Sequence, residues 1–365
     1  MDKKIFKISL ITSLFSGKGG TERAVINLAN NLCNTNKVKI ISVFTNKNDT
    51  PKFPISEEVE IIHLGLGKYN FLYRIYKLWR ELKKHIRMDD FIIGQVPFIN
   101  ILLAIYKFFK IIPFECKTIA LEHTSFFAVK KTTRLLTFIT YKYIDIVVSL
   151  TQYSALQFHK KGIDRTKVIP NVVSFTSSKT STCSKKVILS VGRMSSEKNF
   201  VYIIESLSDI LKKNTDWQLH IIGSEGNDTQ NIYNTIQKLN LENSVIIENF
   251  TNNISEKYLS SSIYVLASKY EGFPMVLIEA KVFGLPIVAH DCLTGPKEII
   301  KKNDGILTPY MDSIAFSRAV EELIKNEEKR VFFGKNAVEN AKEFSPNIIL
   351  NKWNNLFKEL KNVTN

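Results

Sequence analysis

An α/β protein with two doubly wound, parallel-sheet domains is the fold the chain predicts, and three observations predict it. Short β-branched runs alternate with longer helical patterns along the whole sequence. The 365 residues, 44% hydrophobic and 23% charged, are enough for two ordinary cores. A polar stretch, Ser174-Phe175-Thr176-Ser177-Ser178-Lys179-Thr180-Ser181-Thr182, separates an earlier series of elements from a later one. The expected organisation is a first domain over residues 1–172, a linker over 173–185, a second domain over 186–346 and a terminal helical segment over 347–365.

In the first series, strands are expected near 5–11, 38–44, 91–93, 117–121 and 144–149, with helices near 22–32, 72–87, 99–109 and 132–143. The second series opens with a strand at 186–191 and continues with strands near 218–222, 244–247, 263–267 and 287–289. Sheets of this kind bind ligands beyond the carboxyl ends of their strands. In the tail, Ile349, Leu350, Trp353, Leu356 and Leu360 fall at helical spacing, and this helix is expected to pack back across the domain junction.

Charge is unevenly spread. Fifty Lys and Arg against 35 Asp and Glu give +15. Residues 1–180 hold 28 basic and 13 acidic residues, whereas residues 181–365 hold 22 of each. Such asymmetry points to an anionic partner for the first half, either nucleic acid or a membrane surface. Cys33, Cys116, Cys183 and Cys292 are far apart and, with six scattered histidines, present no metal-ligand spacing; a reducing cytosol is expected. Lys7 interrupts the first apolar run and no small-residue cleavage site follows, so a buried strand is expected there and not a signal peptide. The longest uncharged run, 91–106, contains Gly94, Gln95 and Pro97 and is too short to span a bilayer.

The chemistry concentrates in loops that follow strands. After the strand at 263–267 comes Ser268-Lys269-Tyr270-Glu271-Gly272-Phe273-Pro274-Met275-Val276-Leu277-Ile278-Glu279-Ala280. Pro274 is suited to open a helix and Gly284 to close it, which leaves unpaired N–H groups at the helix start as an anion site. Glu271 precedes that helix and Glu279 lies one to two turns into it, so both can face one ligand and reach different parts of it; the alternative is that Glu271 complements the helix dipole and Glu279 is a solvated helix glutamate. Arg193 and Lys198, five apart after the strand at 186–191, are cations where a helix dipole disfavours them, and an anionic ligand explains their position. Gly17-Lys18-Gly19-Gly20-Thr21 is not a nucleotide-triphosphate loop, because Gly19 follows Lys18 and Thr12 stands where a glycine is required. Its glycines let the backbone approach a phosphate or sugar instead. His123 is the histidine at an expected strand end.

The run from Glu271 to Glu279, with seven residues between, resembles the Glu-x7-Glu motif of retaining, family-4 type glycosyltransferases of the bacterial surface-polysaccharide kind. Gly19-Gly20-Thr21-Glu22, Leu121-Glu122-His123, Ile169-Pro170-Asn171, Val191-Gly192-Arg193 through Lys198-Asn199, and Thr294-Gly295-Pro296 resemble that family in the same order. The resemblance implies the GT-B fold, two Rossmann-like domains whose parallel sheets face each other across a central cleft. It assigns Arg193 and Lys198 to the donor diphosphate, Glu271 to the sugar hydroxyls, Glu279 to the ribose hydroxyls and His123 to the transferred sugar. Gly19, Gly20, Gly223, Ser224, Phe250, Gly272, Phe273, Pro274, Met275, Val276 and Leu277 become substrate-binding positions. The implied reaction moves a hexose or N-acetylhexosamine from a nucleotide sugar, with uridine the expected base, to a lipid-carrier-linked glycan acceptor. No metal or other cofactor is expected.

The basic half then reads as a membrane-facing acceptor domain. Tyr69, Tyr73, Tyr76, Arg74, Lys77, Arg80, Lys83, Lys84 and Arg87 surround an apolar helical stripe, and basic aromatic segments recur at 105–110 and 130–142. This implies a cytoplasmic enzyme peripheral to the inner face of the cytoplasmic membrane. A nucleotide-sugar epimerase is the same-fold alternative. A nucleic-acid-binding protein is the alternative from another class, but no binding motif or stacking platform accompanies the charge.

Overall fold

The computed structural model describes residues 5–15, 17, 19–46, 48–69, 71–86, 88–123, 129–173, 177–251 and 253–361. Ser174, Phe175 and Thr176 of the expected linker, Lys18 and Arg87 lie outside them. Met1–Ser174 with Ser345–Asn365 form one compact unit, and Phe175–Phe344 form another.

The first unit is built on seven strands: β1 (Lys7–Thr12), β2 (Lys37–Ser42), β3 (Glu60–His63), β4 (Phe91–Gly94), β5 (Lys117–Glu122), β6 (Ile146–Ser149) and β7 (Thr166–Val168). They pair in parallel in the order β3-β2-β1-β4-β5-β6-β7. Helices α1 (Gly20–Leu32), α2 (Phe71–Ile86), α3 (Pro97–Phe108), α4 (Lys131–Thr140) and α5 (Gln152–His159) link the strands. The central strands are buried on both faces, as in Ile8, Ser9, Leu10 and Ile11 of β1. On α2 the apolar stripe points inward: Leu78, Leu82 and Ile86 are in the core with Ile99, Leu103 and Val147.

The second unit has six parallel strands: β8 (Val187–Val191), β9 (Gln218–Ile222), β10 (Val245–Glu248), β11 (Ile263–Leu266), β12 (Ile287–His290) and β13 (Gly305–Thr308). Their order is β10-β9-β8-β11-β12-β13. Around them lie α6 (Phe200–Lys213), α7 (Thr229–Lys238), α8 (Ile254–Leu259), α9 (Met275–Val282), α10 (Pro296–Ile299), α11 (Ser313–Lys325) and α12 (Glu327–Ala341). In each sheet the chain winds outward on one side of its first strand, then returns to that strand's other side. β1 beside β4 and β8 beside β11 are the points of reversal, where loops diverge and leave room for a ligand.

Strands β3, β7 and β13, helix α5 and, in the second unit, helices α6–α8 and α10–α12 are absent from the expected elements. β3 and β7 are edge strands with half-exposed residues and no fully buried position, so their sequences carry no apolar run. The stretch expected to be a linker is tied to the second unit over part of its length. Ser181 N–H donates to the Phe283 carbonyl at 2.8 Å, and buried Arg330 donates from Nε to the Cys183 carbonyl at 3.0 Å.

Helix α13 (Pro346–Leu360) closes the chain and belongs to the first unit. Its Phe357 ring sits 4.5 Å from Phe91 and 6.1 Å from Phe6, while Lys361 Nζ lies 3.0 Å from Asp90 Oδ1. With this helix included, the first unit holds 30 basic and 14 acidic residues, a net +16. The second holds 20 and 21, a net −1. Because Phe357 is fully buried among aromatic neighbours, Phe357→Ala is expected to cost about 3–5 kcal/mol. Urea unfolding of the full chain measures this, and a cost within error of zero would mean that α13 does not hold the first unit together.

Candidate active site

In the second unit the point of reversal brings together two loops far apart in sequence. The β8 strand leads into Gly192-Arg193-Met194-Ser195-Ser196-Glu197-Lys198-Asn199, and β11 leads into Ser268–Pro274. Lys198 Nζ donates to Glu271 Oε1 at 2.6 Å across that gap. Ser268 Oγ donates to the same carboxylate oxygen at 2.6 Å, and Thr294 Oγ1 donates to the Glu271 backbone carbonyl. Glu271 is thus held at both its side chain and its main chain, and it is buried.

The cation loop is fixed with equal care. Asn199, the residue before α6, adopts a left-handed conformation (φ 58°), which its short side chain tolerates, and its amide donates to the Ala267 carbonyl at 3.2 Å. Met194 N–H donates to the Ser224 carbonyl at 2.9 Å, joining the β8 loop to the loop after β9. The approach is so close that a Cβ on Gly223 would lie 1.8 Å from the Gly192 carbonyl oxygen, so only glycine fits. Arg193 is exposed. Glu197, four residues on, is held below the usual carboxylate range, first by the Ser195 hydroxyl, then by its own N–H and by the positive charge of Arg193.

Pro274 precedes α9, whose first-turn N–H groups at Met275 and Val276 have no partner within the helix. Gly295 at φ 93° begins α10 against this turn, where a Cβ would meet Pro274 Cδ at 2.5 Å. Phe273 is buried with its ring 5.8 Å from Phe344, and Leu277 is fully buried, so these side chains serve the core. Gly272, Met275 and Val276 are half-buried and Phe250, after β10, is exposed. Glu279 is buried one turn into α9 and accepts from Tyr258 OH at 2.9 Å. Ser268, Thr294, Asn199 and Tyr258 are the supporting residues that motif reading did not weigh. Thr294 and Asn199 stood within quoted motifs; Tyr258 had no sequence signal.

In the first unit, Gly19 and Gly20 begin α1 beyond β1. The Glu22 carboxylate folds back over this loop, within 2.6 Å of where Cβ atoms on Gly17 and Gly19 would stand. It thereby satisfies the positive end of the helix from inside the chain. His123, after β5, donates from Nε2 to Gln95 Oε1 at 2.8 Å beyond β4, and its buried Nδ1 has no partner among the described residues. Burial pushes the imidazole down to about 4, so it is neutral at physiological pH and Nδ1 is an acceptor. Behind it, Glu122 accepts from Asn100 Nδ2 at 2.8 Å and from Tyr141 OH, and burial raises its carboxyl to about 7. Among the described residues no group of three or more His, Cys, Asp or Glu side chains is placed to hold a metal ion.

Residues 176–340 match the family described as glycosyl transferases group 1. Over 366 residues the chain is 30% identical to the amylovoran biosynthesis glycosyltransferase AmsD of Erwinia amylovora, covering 96% of this chain and 99% of that one. The chain belongs to this glycosyltransferase family. A second family member, 26% identical over 98% of this chain and 100% of its own, is the GalNAc-alpha-(1->4)-GalNAc-alpha-(1->3)-diNAcBac-PP-undecaprenol alpha-1,4-N-acetyl-D-galactosaminyltransferase of Campylobacter jejuni. Among solved structures, a mutant of Staphylococcus aureus TarM with fondaparinux, alpha-GlcNAc-glycerol and UDP matches with a TM-score of 0.81 at 17% identity, covering 96% of this chain and 100% of that one. The two parallel-sheet, Rossmann-like units therefore constitute a GT-B glycosyltransferase. This is the fold the motifs implied.

Buried histidines give the glycosyltransferase a distinct pH response. Burial holds His290, whose Nε2 pairs with Tyr202 OH at 3.1 Å, down at about 4 against an ordinary 6.5, with the Asp312 charge opposing the shift. Between those values the unfolded chain binds a proton that the folded chain refuses. Stability from this group is complete above pH 6.5 and falls toward pH 4 by about 1.4 kcal/mol per unit. His123 acts with the same sign and Glu122 with the opposite sign. Guanidinium unfolding of His290→Phe over that window should show a shallower loss than the unsubstituted protein, and equal slopes would contradict a buried neutral His290.

Proposed function

We propose that the protein is a retaining, metal-independent hexosyltransferase. It takes a nucleotide sugar, with UDP the favoured nucleotide, and glycosylates a lipid-carrier-linked glycan in surface-polysaccharide biosynthesis. The observation that carries this reading is the 2.6 Å contact between Lys198 and Glu271 at the β8–β11 reversal, with Arg193 exposed on the same loop and the α9 N–H groups beside it. A nucleotide-sugar diphosphate carries two negative charges and gains more as the glycosidic bond breaks. Fixed cations and oriented N–H groups meet that requirement without reorganising.

In this mechanism Arg193 and Lys198 take the diphosphate, while Glu271, released from Lys198, accepts from the sugar hydroxyls. Glu279 accepts from the ribose. The bond from the anomeric carbon to the phosphate oxygen breaks with its electron pair going to the phosphate. The acceptor oxygen attacks from the same face, and its proton passes to the departing phosphate oxygen. His123, neutral with an acceptor Nδ1, is given no proton to move. UDP in the TarM complex and the undecaprenol carrier in the Campylobacter enzyme's name support the donor and acceptor classes.

The net +16 of the first unit supports work at an anionic membrane on the cytoplasmic side. No helix among the described residues is long and apolar enough to cross a membrane. Around the buried stripe of α2 stand exposed Tyr73, Tyr76, Arg80, Lys83 and Lys84, a face suited to headgroups.

Arg193→Ala and Glu271→Ala are each expected to lower transfer by about 100-fold or more with unchanged circular dichroism. Full activity in either variant would remove the donor-site assignment. Among UDP-, GDP- and dTDP-sugars, a UDP-sugar should raise the melting temperature most; no shift with any of them would count against nucleotide-sugar use. Reversing Lys83 and Lys84 to Glu should weaken binding to phosphatidylglycerol vesicles about tenfold at low salt. Unchanged sedimentation with vesicles would take α2 out of the membrane face.

A further inference from the structure

Helix α4 buries little of its apolar surface. Its buried side chains are Thr137 and Thr140, whose hydroxyls fold back onto the Thr133 carbonyl at 3.0 Å and the Leu136 carbonyl at 2.8 Å, and half-buried Phe138 packs on the core. Its other large apolar residues face outward: Leu135, Leu136 and Ile139 are 61%, 49% and 52% exposed. A helix that ends in water does the reverse, as α2 does in the same unit. Leu135 and Ile139 are four apart, and Tyr143 follows four later in the short 3-10 turn Tyr141–Tyr143. The Phe108 ring lies 4.6 Å from Tyr143 and 5.0 Å from Phe109, and both phenylalanines are exposed. The apolar line on α4 therefore runs on into the end of α3.

Positive charge frames this line. Lys130 and Lys131 begin α4, where a helix dipole disfavours cations and no acidic residue compensates. Lys142 stands 5.1 Å over the Tyr143 ring, and exposed Lys110 follows Phe109. No Asp or Glu occurs in residues 96–114 or 123–144. A second copy of this chain on the same face would bring one basic frame against another. An apolar ridge inside an all-basic frame fits an anionic bilayer, which offers phosphate at the depth of the lysines and hydrocarbon below it.

We propose that Leu135, Leu136 and Ile139, with Phe108 and Phe109, insert into the outer hydrocarbon of an anionic bilayer while Lys110, Lys130, Lys131 and Lys142 engage lipid phosphates. This rests on the membrane reading given above and deepens it: α2 attracts through charge, and α4 holds through apolar burial. The two contributions separate by salt, because burial is not screened whereas exposed charge is.

The test uses the full chain with vesicles containing phosphatidylglycerol, at low and high salt. Wild type should keep part of its binding at high salt. The L135S/L136S/I139S variant should lose that part and bind about 30-fold more weakly at low salt, with an undiminished melting temperature. Lys83 and Lys84 reversal should affect the low-salt binding alone. A polarity-sensitive dye on Leu136→Cys should shift to the blue on these vesicles; the four native cysteines are buried and leave the label selective. If the triple variant binds as wild type does, the insertion proposal falls while the membrane reading stands. If wild type binds no vesicles, both fall. If wild type is oligomeric in lipid-free gel filtration and the triple variant is monomeric, the ridge is a protein interface and the proposal is overturned. Donor hydrolysis measured in parallel reports on the glycosyltransferase reading by itself.

Discussion

Lys198 meets Glu271 across 73 positions of sequence because β8 and β11 are hydrogen-bonded neighbours in a sheet that winds first one way and then the other. At such a reversal the loops that follow the two strands diverge, and they can carry charge without burying it unpaired. The candidate donor site is a consequence of strand order before it is a consequence of any motif. The close stacking of the β8 and β9 loops, which admits no side chain at Gly223, narrows the cation loop to one path.

A charged pair at a sheet edge needs support, since two ions withdrawn from water gain from each other only in good geometry. Ser268 and Thr294 supply it to Glu271, and Asn199 anchors the cation loop to the end of β11. The pair therefore stands pre-positioned, with Lys198 neutralised by a carboxylate. Such an arrangement suits a site whose ligand is itself a doubly charged anion.

In the first unit the polar contact lies one strand beyond the reversal: Gln95 after β4 fixes His123 after β5, and the neutral ring keeps an acceptor nitrogen in place of a charge. Its surface tells a different story from its core. The stripe of α2 is satisfied within the protein, while Leu135, Leu136 and Ile139 of α4 are not. Both helices are basic, and in sequence they look alike; only burial separates a structural amphipathic helix from one turned outward.

Much of this was legible from the residues. Alternating β-branched runs and helical patterns set the fold class, because parallel strands covered on both faces must be continuously apolar. Arg193 and Lys198 stood out because cations at a helix start are electrostatically odd without a ligand, whereas Glu271 and Glu279 stood out through the family motif they resemble. The edge strands β3 and β7 were not legible, since half-exposed strands need no apolar run, and β13 has only Ile306 and Leu307 between Gly305 and Thr308. Tyr258, Gln95 and Ser268 were not legible as partners either: an ordinary polar residue acquires a role only from what faces it. The return of α13 to the first unit, the pairing of Lys198 with Glu271 and the outward turn of α4 are long-range or burial facts. Local sequence determined which elements form and which loops carry charge. Tertiary structure alone decided which loops meet and which apolar faces stay uncovered, because contact between residues far apart in the chain depends on strand order and packing that no local pattern encodes.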